Sequence, residues 1–215
     1  MIYATMCIGS KWTTKYKDVV NTFGENNTLH VLTDLPGISE NVITHLYKRK
    51  VFSYYEKINF ILNLSKQLKE RICYIDVDWL IPYNTDLTFD DKSLYTYRNF
   101  KLHEYNNLTM YFTDNEIKVK ENILSQIGIN QNLNDYIGEA LIVFPYLENI
   151  DDLILDSKIL QQYIEKEYNQ ESITNKRLDR YKGGIGYAEG WGISALCVKY
   201  NIPIVKTDWR KESLI

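Results

Sequence analysis

A short apolar run that ends in two aspartates constrains the fold of this chain most. The run, Ile72–Ile75, lies at the start of the stretch from Arg71 to Leu80 and is rich in β-branched and aromatic residues, which predicts a buried strand. Asp76 and Asp78 follow it, and residues two apart in a strand point to the same face. Ligands of open α/β sheets bind where the strands end. The stretch therefore predicts a parallel sheet with two carboxylates at its ligand-binding edge.

The residues before this run alternate between strand-like and helix-like patterns. Strands are predicted at residues 2–8 and 28–33, with a helical pattern of apolar residues over 12–23 between them. Residues 41–50 fit either a strand or a helix, and a capping-box pattern at Ser53 predicts a helix to about Leu68. This alternation favours parallel strands joined by crossover helices.

The second half of the sequence is less regular. Residues 84–107 are polar and rich in turn formers, whereas 108–112 and 140–144 predict strands and 153–168 predict an amphipathic helix. No internal repeat or interdomain linker is visible. We therefore predict a single α/β domain over residues 1–215, with a mixed, mostly parallel central sheet flanked by helices. Whether that domain is part of a longer chain stays open.

Composition argues against electrostatic binding of nucleic acids and against a membrane span. The net charge is −3 and the pI about 5.7, whereas nucleic-acid binders normally carry a basic face. No apolar run approaches the ~20 residues of a membrane span. The three cysteines, Cys7, Cys73 and Cys197, lie in apolar surroundings without metal-type spacing. These features predict reduced thiols in a cytoplasmic protein.

The two aspartates are candidate ligands for a divalent cation. Mg²⁺ and Mn²⁺ prefer oxygen ligands and are often held by one or two carboxylates together with substrate phosphates. An Asp-x-Asp triplet also arises by chance in an acidic sequence, so a purely structural role stays open. The loop after the first strand has neither a dinucleotide-binding glycine pattern nor a P-loop. A nucleotide would therefore need side chains and a metal ion to hold its phosphates.

A glycine-rich segment, Gly183–Gly192, lies late in the chain. Glu189 is its single acid, and Trp191 offers an aromatic face on which a sugar can stack. Glycines allow a ligand to approach the backbone closely. A pocket loop facing Asp76 and Asp78 and an ordinary turn that caps a helix both fit this pattern.

The order of elements, together with Asp76-Val77-Asp78, resembles the GT-A glycosyltransferases, in which an Asp-x-Asp motif follows a strand and a long helix. The segment Tyr187–Ala195 also resembles an acidic loop and helix opening found late in many of these enzymes. The likeness implies a GT-A-like fold and metal-dependent transfer of a sugar from a UDP- or GDP-sugar to the hydroxyl of a glycan or other acceptor. It also implies a nucleotide-binding half over residues 1–82 and an acceptor-side half over residues 83–215.

The resemblance implies roles for the candidate residues on the donor side. Asp78 would ligate Mn²⁺ or Mg²⁺ directly, and Asp76 would contact the metal ion, a metal-bound water or the ribose. Lys57, on the helix before the motif, would reach the diphosphate or the sugar. The other positions expected to contact the nucleotide sugar are Thr5, Asp34 and Val77. For Asp34, an Asx turn with its own backbone is the structural alternative.

On the acceptor side, Glu189 is the expected catalytic carboxylate and Trp191 the expected sugar contact. Glu189 would deprotonate the acceptor hydroxyl in an inverting enzyme, or stabilise the oxocarbenium-like centre in a retaining one. Many retaining members use a late histidine as a further metal ligand. The only histidines here are His30, His45 and His103, so that ligand is absent or replaced.

Two other functions stay open at this point. A phosphatase of the haloacid dehalogenase type would use Asp76 as a nucleophile, but Leu80 stands where that family normally has Thr or Val. Its second acidic site would have to come from Asp151 and Asp152. A non-catalytic domain that binds a sugar nucleotide or glycan is the other alternative. Sugar nucleotidyl transfer is disfavoured because no glycine-rich, arginine-containing opening follows the first strand.

Overall fold

The fold is an α/β arrangement, seen in a computed structural model of the chain. The structure describes residues 1–9, 28–34, 42–48, 55–77, 79–80, 88–96, 99–101, 114–130, 133, 135–137, 141–175, 188–207 and 212–213. The strands are β1 (Ile2–Cys7), β2 (Leu29–Thr33), β3 (Val42–Leu46), β4 (Ile72–Ile75), β5 (Trp79–Leu80), β6 (Leu94–Thr96), β7 (Asn99–Lys101), β8 (Asp135–Ile137), β9 (Leu141–Phe144), β10 (Ile204–Lys206) and β11 (Glu212–Ser213). The helices are α1 (Glu56–Leu68), α2 (Asp114–Ser125), α3 (Ile150–Asn175) and α4 (Ala188–Lys199).

Seven of the described strands form a central sheet in the order β10-β6-β9-β4-β1-β2-β3. Neighbouring strands are parallel except at β9, which runs antiparallel to both β4 and β6. In this register Thr5 lies beside Val31, and Ile75 lies beside Leu141. The antiparallel pairs β5–β11 and β7–β8 stand outside this sheet. The mixed, mostly parallel sheet confirms the predicted α/β class.

Apolar side chains cover both faces of the central sheet because strand residues alternate between them. Ile72 and Tyr74 of β4 belong to one buried cluster, which also contains the apolar residues of α1, α3 and α4. Cys73 and Ile75 belong to a second cluster on the other face. Burial of a side chain such as Ile72 contributes about 1.5–3 kcal/mol to the free energy of unfolding, compared with an exposed side chain. The helices thus pack against the face that carries Tyr74.

Helix α1 is fixed in rotation by polar contacts as well as by its apolar face. Ser157 of α3 donates to Asn59 Oδ1 at 2.7 Å, and Gln161 Nε2 donates to Glu56 Oε1 at 2.6 Å. Buried polar groups that satisfy one another in this way hold two helices in one register. The contacts matter for the site because α1 also carries Lys57.

Helix α4 is buried rather than amphipathic. Its residues from Gly190 to Cys197 are all buried, which is typical of a helix surrounded by protein. Ser194 Oγ donates to the carbonyl of Gly190 and accepts from the amide of Ile137 in β8. The helix begins at Ala188, so the second half of the glycine-rich segment is helical. The sequence had assigned it to a loop.

The predicted strands at residues 2–8, 28–33 and 140–144 are confirmed as β1, β2 and β9. The ambiguous stretch 41–50 contains β3, and the predicted helix at 153–168 is confirmed within the longer α3. Helix α1 begins at Glu56, later than the capping box at Ser53 predicted, and Tyr55 makes no side-chain cap. The predicted helix over 12–23 and the strand at 108–112 lie outside the described residues. No described helix is long and apolar enough to cross a membrane.

Candidate functional site

The carboxyl ends of β1, β2 and β4 meet at one edge of the central sheet, which we call the carboxyl edge and define by Gly9, Asp34 and Asp76. The register supports this alignment, because Cys7 lies beside Thr33 and Ala4 lies beside Tyr74. The N-terminal turn of α1 reaches the same edge through Lys57, which contacts Asp76. Open α/β sheets bind ligands at this edge.

Asp76 is the best-defined carboxylate of the carboxyl edge. It follows β4 directly, and its side chain is 27% exposed. Tyr74 OH donates to Asp76 Oδ1 at 3.0 Å, and Lys57 Nζ lies 2.9 Å from the same oxygen. Tyr74 precedes Asp76 by two residues, so strand alternation brings both to one face. The carboxylate is thus held by one neighbour on its own strand and one on α1.

Lys57 is a buried cation, with 3% of its side chain exposed. Its ammonium also lies 5.2 Å from the centre of the Tyr74 ring, within cation–π distance. A buried charge is tolerated when an opposite charge and hydrogen bonds compensate it. Removal of Asp76 would leave this ammonium without that carboxylate. The structure therefore joins two sequence-predicted residues, Lys57 and Asp76, in one ion pair.

Oδ2, the second carboxylate oxygen of Asp76, is the candidate ligand for a divalent cation. Both recorded contacts fall on Oδ1, so within the described part of the chain Oδ2 has no hydrogen-bond partner. A partly exposed carboxylate oxygen suits Mn²⁺ or Mg²⁺, which need one or two such ligands beside substrate phosphates. Asp78, the predicted direct ligand, lies outside the described residues. Among those residues no group of three or more His, Cys, Asp or Glu side chains is placed to hold a metal ion.

Asp34 joins the ends of β1 and β2. Both of its carboxylate oxygens accept from the backbone N–H of Gly9, at 3.1 Å each. Gly9 has a φ of +89°, in the region that favours glycine, which lets its amide turn towards Asp34. The bond crosses from one strand end to the next, whereas the other residues of the Asx turn considered above lie outside the described part of the chain. Burial and the Asp34 charge raise the pKa of the nearby Cys7 thiol to about 11, so that cysteine stays protonated.

Thr5 and Val77 are more enclosed than the other donor-side candidates. Thr5 is fully buried in the middle of β1, and its hydroxyl has no hydrogen-bond partner within the described part of the chain. Val77 packs its side chain into the second apolar cluster. Any contact of Val77 with a ligand would therefore involve its backbone.

Glu189 lies in the first turn of α4. Three residues later, Gly192 packs directly against Tyr55, which precedes α1. The backbone of Glu189 is therefore near the end of α1 that carries Lys57. Trp191, by contrast, is 1% exposed and belongs to the apolar core. Protein covers its ring, which leaves almost none of it exposed for the predicted stacking on a sugar.

Asp151 and Asp152 stand at the opposite edge of the sheet. Strand β9 ends at Phe144, which pairs with Ile72, the first residue of β4. Helix α3 starts shortly afterwards, and Asp151 forms an ion pair with Lys66 in the last turn of α1. This position separates Asp151 and Asp152 from Asp76 by the length of the strands. They do not supply the second acidic site that a dehalogenase-type phosphatase needs.

One contributor to the site, Tyr74, was missed by the sequence analysis. Its apolar neighbours made it look like an ordinary core residue of a strand. The available signal was its spacing of two residues from Asp76, which places a hydroxyl and a carboxylate on one face. The role of Lys57 as a partner of Asp76 depends on where α1 packs, so sequence spacing does not reveal it.

The described fold and edge define an α/β protein with a mostly parallel sheet and a carboxylate presented at the ends of its strands. The sequence matches no protein-family model and no curated protein. Among solved structures it is similar to the apo form of mouse xyloside xylosyltransferase 1, with a TM-score of 0.44 and 9% identity over 96% of this chain and 84% of that one. It is also similar to the apo form of the glycosyltransferase GlyE from Streptococcus pneumoniae TIGR4, with a TM-score of 0.39 and 10% identity over 96% of this chain and 45% of that one.

A third similar structure is a glycosyltransferase involved in the glycosylation of the major capsid of PBCV-1. Its TM-score is 0.34 and its identity 9%, over 85% of this chain and 80% of that one.

Proposed function

We propose that this chain is a glycosyltransferase that moves a sugar from a UDP- or GDP-sugar to the hydroxyl of a glycan or other acceptor, with Mn²⁺ or Mg²⁺ as cofactor. The observation that carries the proposal is the set of contacts made by the two carboxylate oxygens of Asp76. Its Oδ1 is held by Lys57 and Tyr74, and its Oδ2 has no partner in the described part of the chain. A fixed carboxylate at the carboxyl edge suits recognition of a nucleotide and its metal ion.

The donor would lie along the ends of β1, β2 and β4. Asp34 holds the backbone at Gly9, and the base and ribose would rest beside it. Asp76 Oδ2 would accept from a donor hydroxyl or ligate the metal ion, and Asp78 would complete the metal site. When bound, the cation would supply Lewis-acid stabilisation of the departing diphosphate.

Transfer also needs a group on the acceptor side of the reacting sugar. Glu189 is the candidate because its helix turn lies near the end of α1 that bears Lys57. As a general base it would take the proton of the acceptor hydroxyl within about 2.6–3.2 Å. As a charge on the other face it would stabilise an oxocarbenium-like centre in a retaining reaction. Both stereochemical outcomes are compatible with this placement.

Thermal unfolding in the presence of nucleotides tests the proposal. UDP, GDP and a panel of UDP- and GDP-hexoses are added with and without MnCl₂. A ligand at a hundredfold excess over its dissociation constant stabilises the native state by about 2.7 kcal/mol, so one nucleotide class should raise the melting temperature only when Mn²⁺ is present. Asp76→Ala should abolish that increase.

Asp151→Ala is the matched control, since it removes an exposed carboxylate at the opposite edge whose ion pair with Lys66 contributes little stability. It should retain the full nucleotide response. Release of UDP or GDP from the donor then separates turnover from binding without catalysis. A protein that responds to no nucleotide, or one that instead releases phosphate from simple phosphoesters, contradicts the proposal.

A further inference from the structure

Two hydrogen-bond donors converge on a single oxygen of Asp76. Lys57 Nζ at 2.9 Å and Tyr74 OH at 3.0 Å both contact Oδ1, and they approach from different elements. Two contacts from separate directions fix the rotation of the carboxylate as well as its position. The side chain is 27% exposed at the carboxyl edge, and Oδ2 has no hydrogen-bond partner among the described residues. The arrangement therefore determines which oxygen a ligand meets.

A second lysine–aspartate–tyrosine cluster in the same protein has a less exposed carboxylate. Tyr200 OH donates to Asp156 Oδ2 at 2.7 Å, and Lys199 pairs with the same oxygen. The Asp156 side chain is only 9% exposed, compared with 27% for Asp76. The Asp156 cluster joins α3 to the end of α4, with Asp156 covered and Lys199 exposed. The Asp76 cluster differs in that its carboxylate reaches the surface at the site edge.

We propose that Lys57 and Tyr74 are positioning residues that act on the donor through Asp76, by presenting its Oδ2 in one orientation. This inference rests on the proposed function and changes the role expected for Lys57, from a direct contact of the diphosphate or sugar to a support of the carboxylate. Only 3% of the Lys57 side chain is exposed. Lys57 is therefore better placed to support Asp76 than to contact the donor directly. Tyr74 becomes part of the site although its ring lies in the core.

The pairing also lowers the negative charge that an anionic donor meets. Lys57 compensates one carboxylate charge at a distance of 2.9 Å. A diphosphate approaching the carboxyl edge is therefore repelled less by Asp76 than by an unpaired carboxylate. The same ammonium disfavours a binding mode in which Asp76 alone holds a divalent cation.

A double-mutant cycle tests the route through Asp76. The dissociation constants of UDP and GDP with MnCl₂ are measured by calorimetry for the wild type and for Tyr74→Phe, Lys57→Met, Lys57→Arg and Asp76→Asn. Tyr74→Phe and Lys57→Met should each weaken the bound nucleotide about tenfold, within the coupling range of residues in one network. Neither should weaken it further in the Asp76→Asn background, and Lys57→Arg should retain part of the affinity.

Tyr200→Phe is the matched control, because it removes the same kind of hydroxyl–carboxylate bond from the Asp156 cluster. It should lower the free energy of unfolding without changing the nucleotide dissociation constant. Tyr74→Phe deletes one oxygen only, so it keeps the test informative where Lys57→Met does not fold. Additive losses in the Asp76→Asn background would show that Lys57 contacts the donor directly, and would overturn the inference.

Crystal structures without nucleotide supply a readout that does not depend on the proposed function. The Asp76 side chain should occupy one conformer in the wild type and several in Tyr74→Phe. If Asp76 keeps one conformer in Tyr74→Phe and the nucleotide affinity of that variant is unchanged, the positioning role is overturned. If the conformers differ as expected but the wild type binds neither UDP nor GDP, the proposed function is wrong, whereas Lys57 and Tyr74 still orient Asp76.

Discussion

Single residues set how closely the elements of this protein approach, and Gly192 is the clearest case. It lies in the buried helix α4, opposite Tyr55 at the start of α1. A Cβ atom added at Gly192 would lie 2.5 Å from Cε2 of Tyr55, well inside van der Waals contact. Because Tyr55 is itself 1% exposed, its ring has no open space into which to move. The absence of a side chain at this position therefore permits the contact between α1 and α4.

Gly192→Ala should destabilise the protein despite the higher helix propensity of alanine. Overpacking in a filled core typically costs about 1–3 kcal/mol, more than the roughly 1 kcal/mol gained by replacing a helical glycine. Urea denaturation should show a lower midpoint with an unchanged slope. The matched comparison is the same substitution in a Tyr55→Leu background, where the smaller side chain leaves room. An alanine penalty of equal size in both backgrounds would mean that Tyr55 is not the obstacle.

At the scale of elements, a histidine pair links β2 to the neighbouring strand β3. His30 Nδ1 and His45 Nε2 lie 2.9 Å apart, and the His45 ring also packs edge-on against Phe60 of α1. Only one hydrogen fits between the two nitrogens, so the pair excludes double protonation there. Burial and the neighbouring His45 lower the pKa of His30 to about 4, and burial also lowers the pKa of His45.

This pair should make the protein less stable in mild acid. Because the folded pKa of His30 lies below the unfolded value of about 6.5, its contribution is present above pH 6.5 and is lost as the pH falls towards 4. The free energy of unfolding should drop by about 1–3 kcal/mol over this range, measured by urea titration at several pH values. His30→Gln should flatten that dependence. A slope that persists unchanged in the variant would assign it to other groups.

The sequence predicted elements best where burial and periodicity agree. β1, β2, β4 and β9 are mostly apolar runs, and each was placed within one or two residues of its observed bounds. β6 was missed because three residues within a polar stretch carry too little pattern. The start of α4 was assigned to a loop because its glycines look like turn formers, whereas Gly192 is required by close helix packing.

The candidate site could be predicted in part for the same physical reasons. Asp76 follows a strand, so its place at the sheet edge is determined by local sequence. Its partnership with Lys57 depends on the packing of α1 against β4, which local patterns do not specify. Trp191 looked available for a sugar because aromatic residues near glycines often line pockets. It is buried because protein surrounds the part of α4 from Gly190 to Cys197.

Over the described part of the molecule, the candidate carboxylates divide between the two edges of the sheet. Asp34 and Asp76 stand at the carboxyl edge, and the helix turn with Glu189 lies near the adjoining end of α1. Asp151 pairs with Lys66 at the other end of α1. Helix α1 has 13 residues and is about 20 Å long. Residues at its two ends therefore cannot contact the same reacting sugar. The catalytic carboxylate should therefore come from the first group.

Glu189→Gln should lower the turnover of a nucleotide sugar far more than it weakens donor binding, because a general base or charge stabiliser acts in the transition state. Loss of a general base typically lowers the rate by about 10²–10⁴-fold. Asp151→Asn, at the opposite edge, should leave turnover unchanged, and the kcat and KM of both variants are compared with the wild type.

Equal losses of donor affinity and stability in Glu189→Gln would identify Glu189 as a residue that stabilises the start of α4. Full turnover in that variant would exclude it as the catalytic group. Either outcome would direct the search to acids at the carboxyl edge, since the position of Asp151 and Asp152 removes them from consideration.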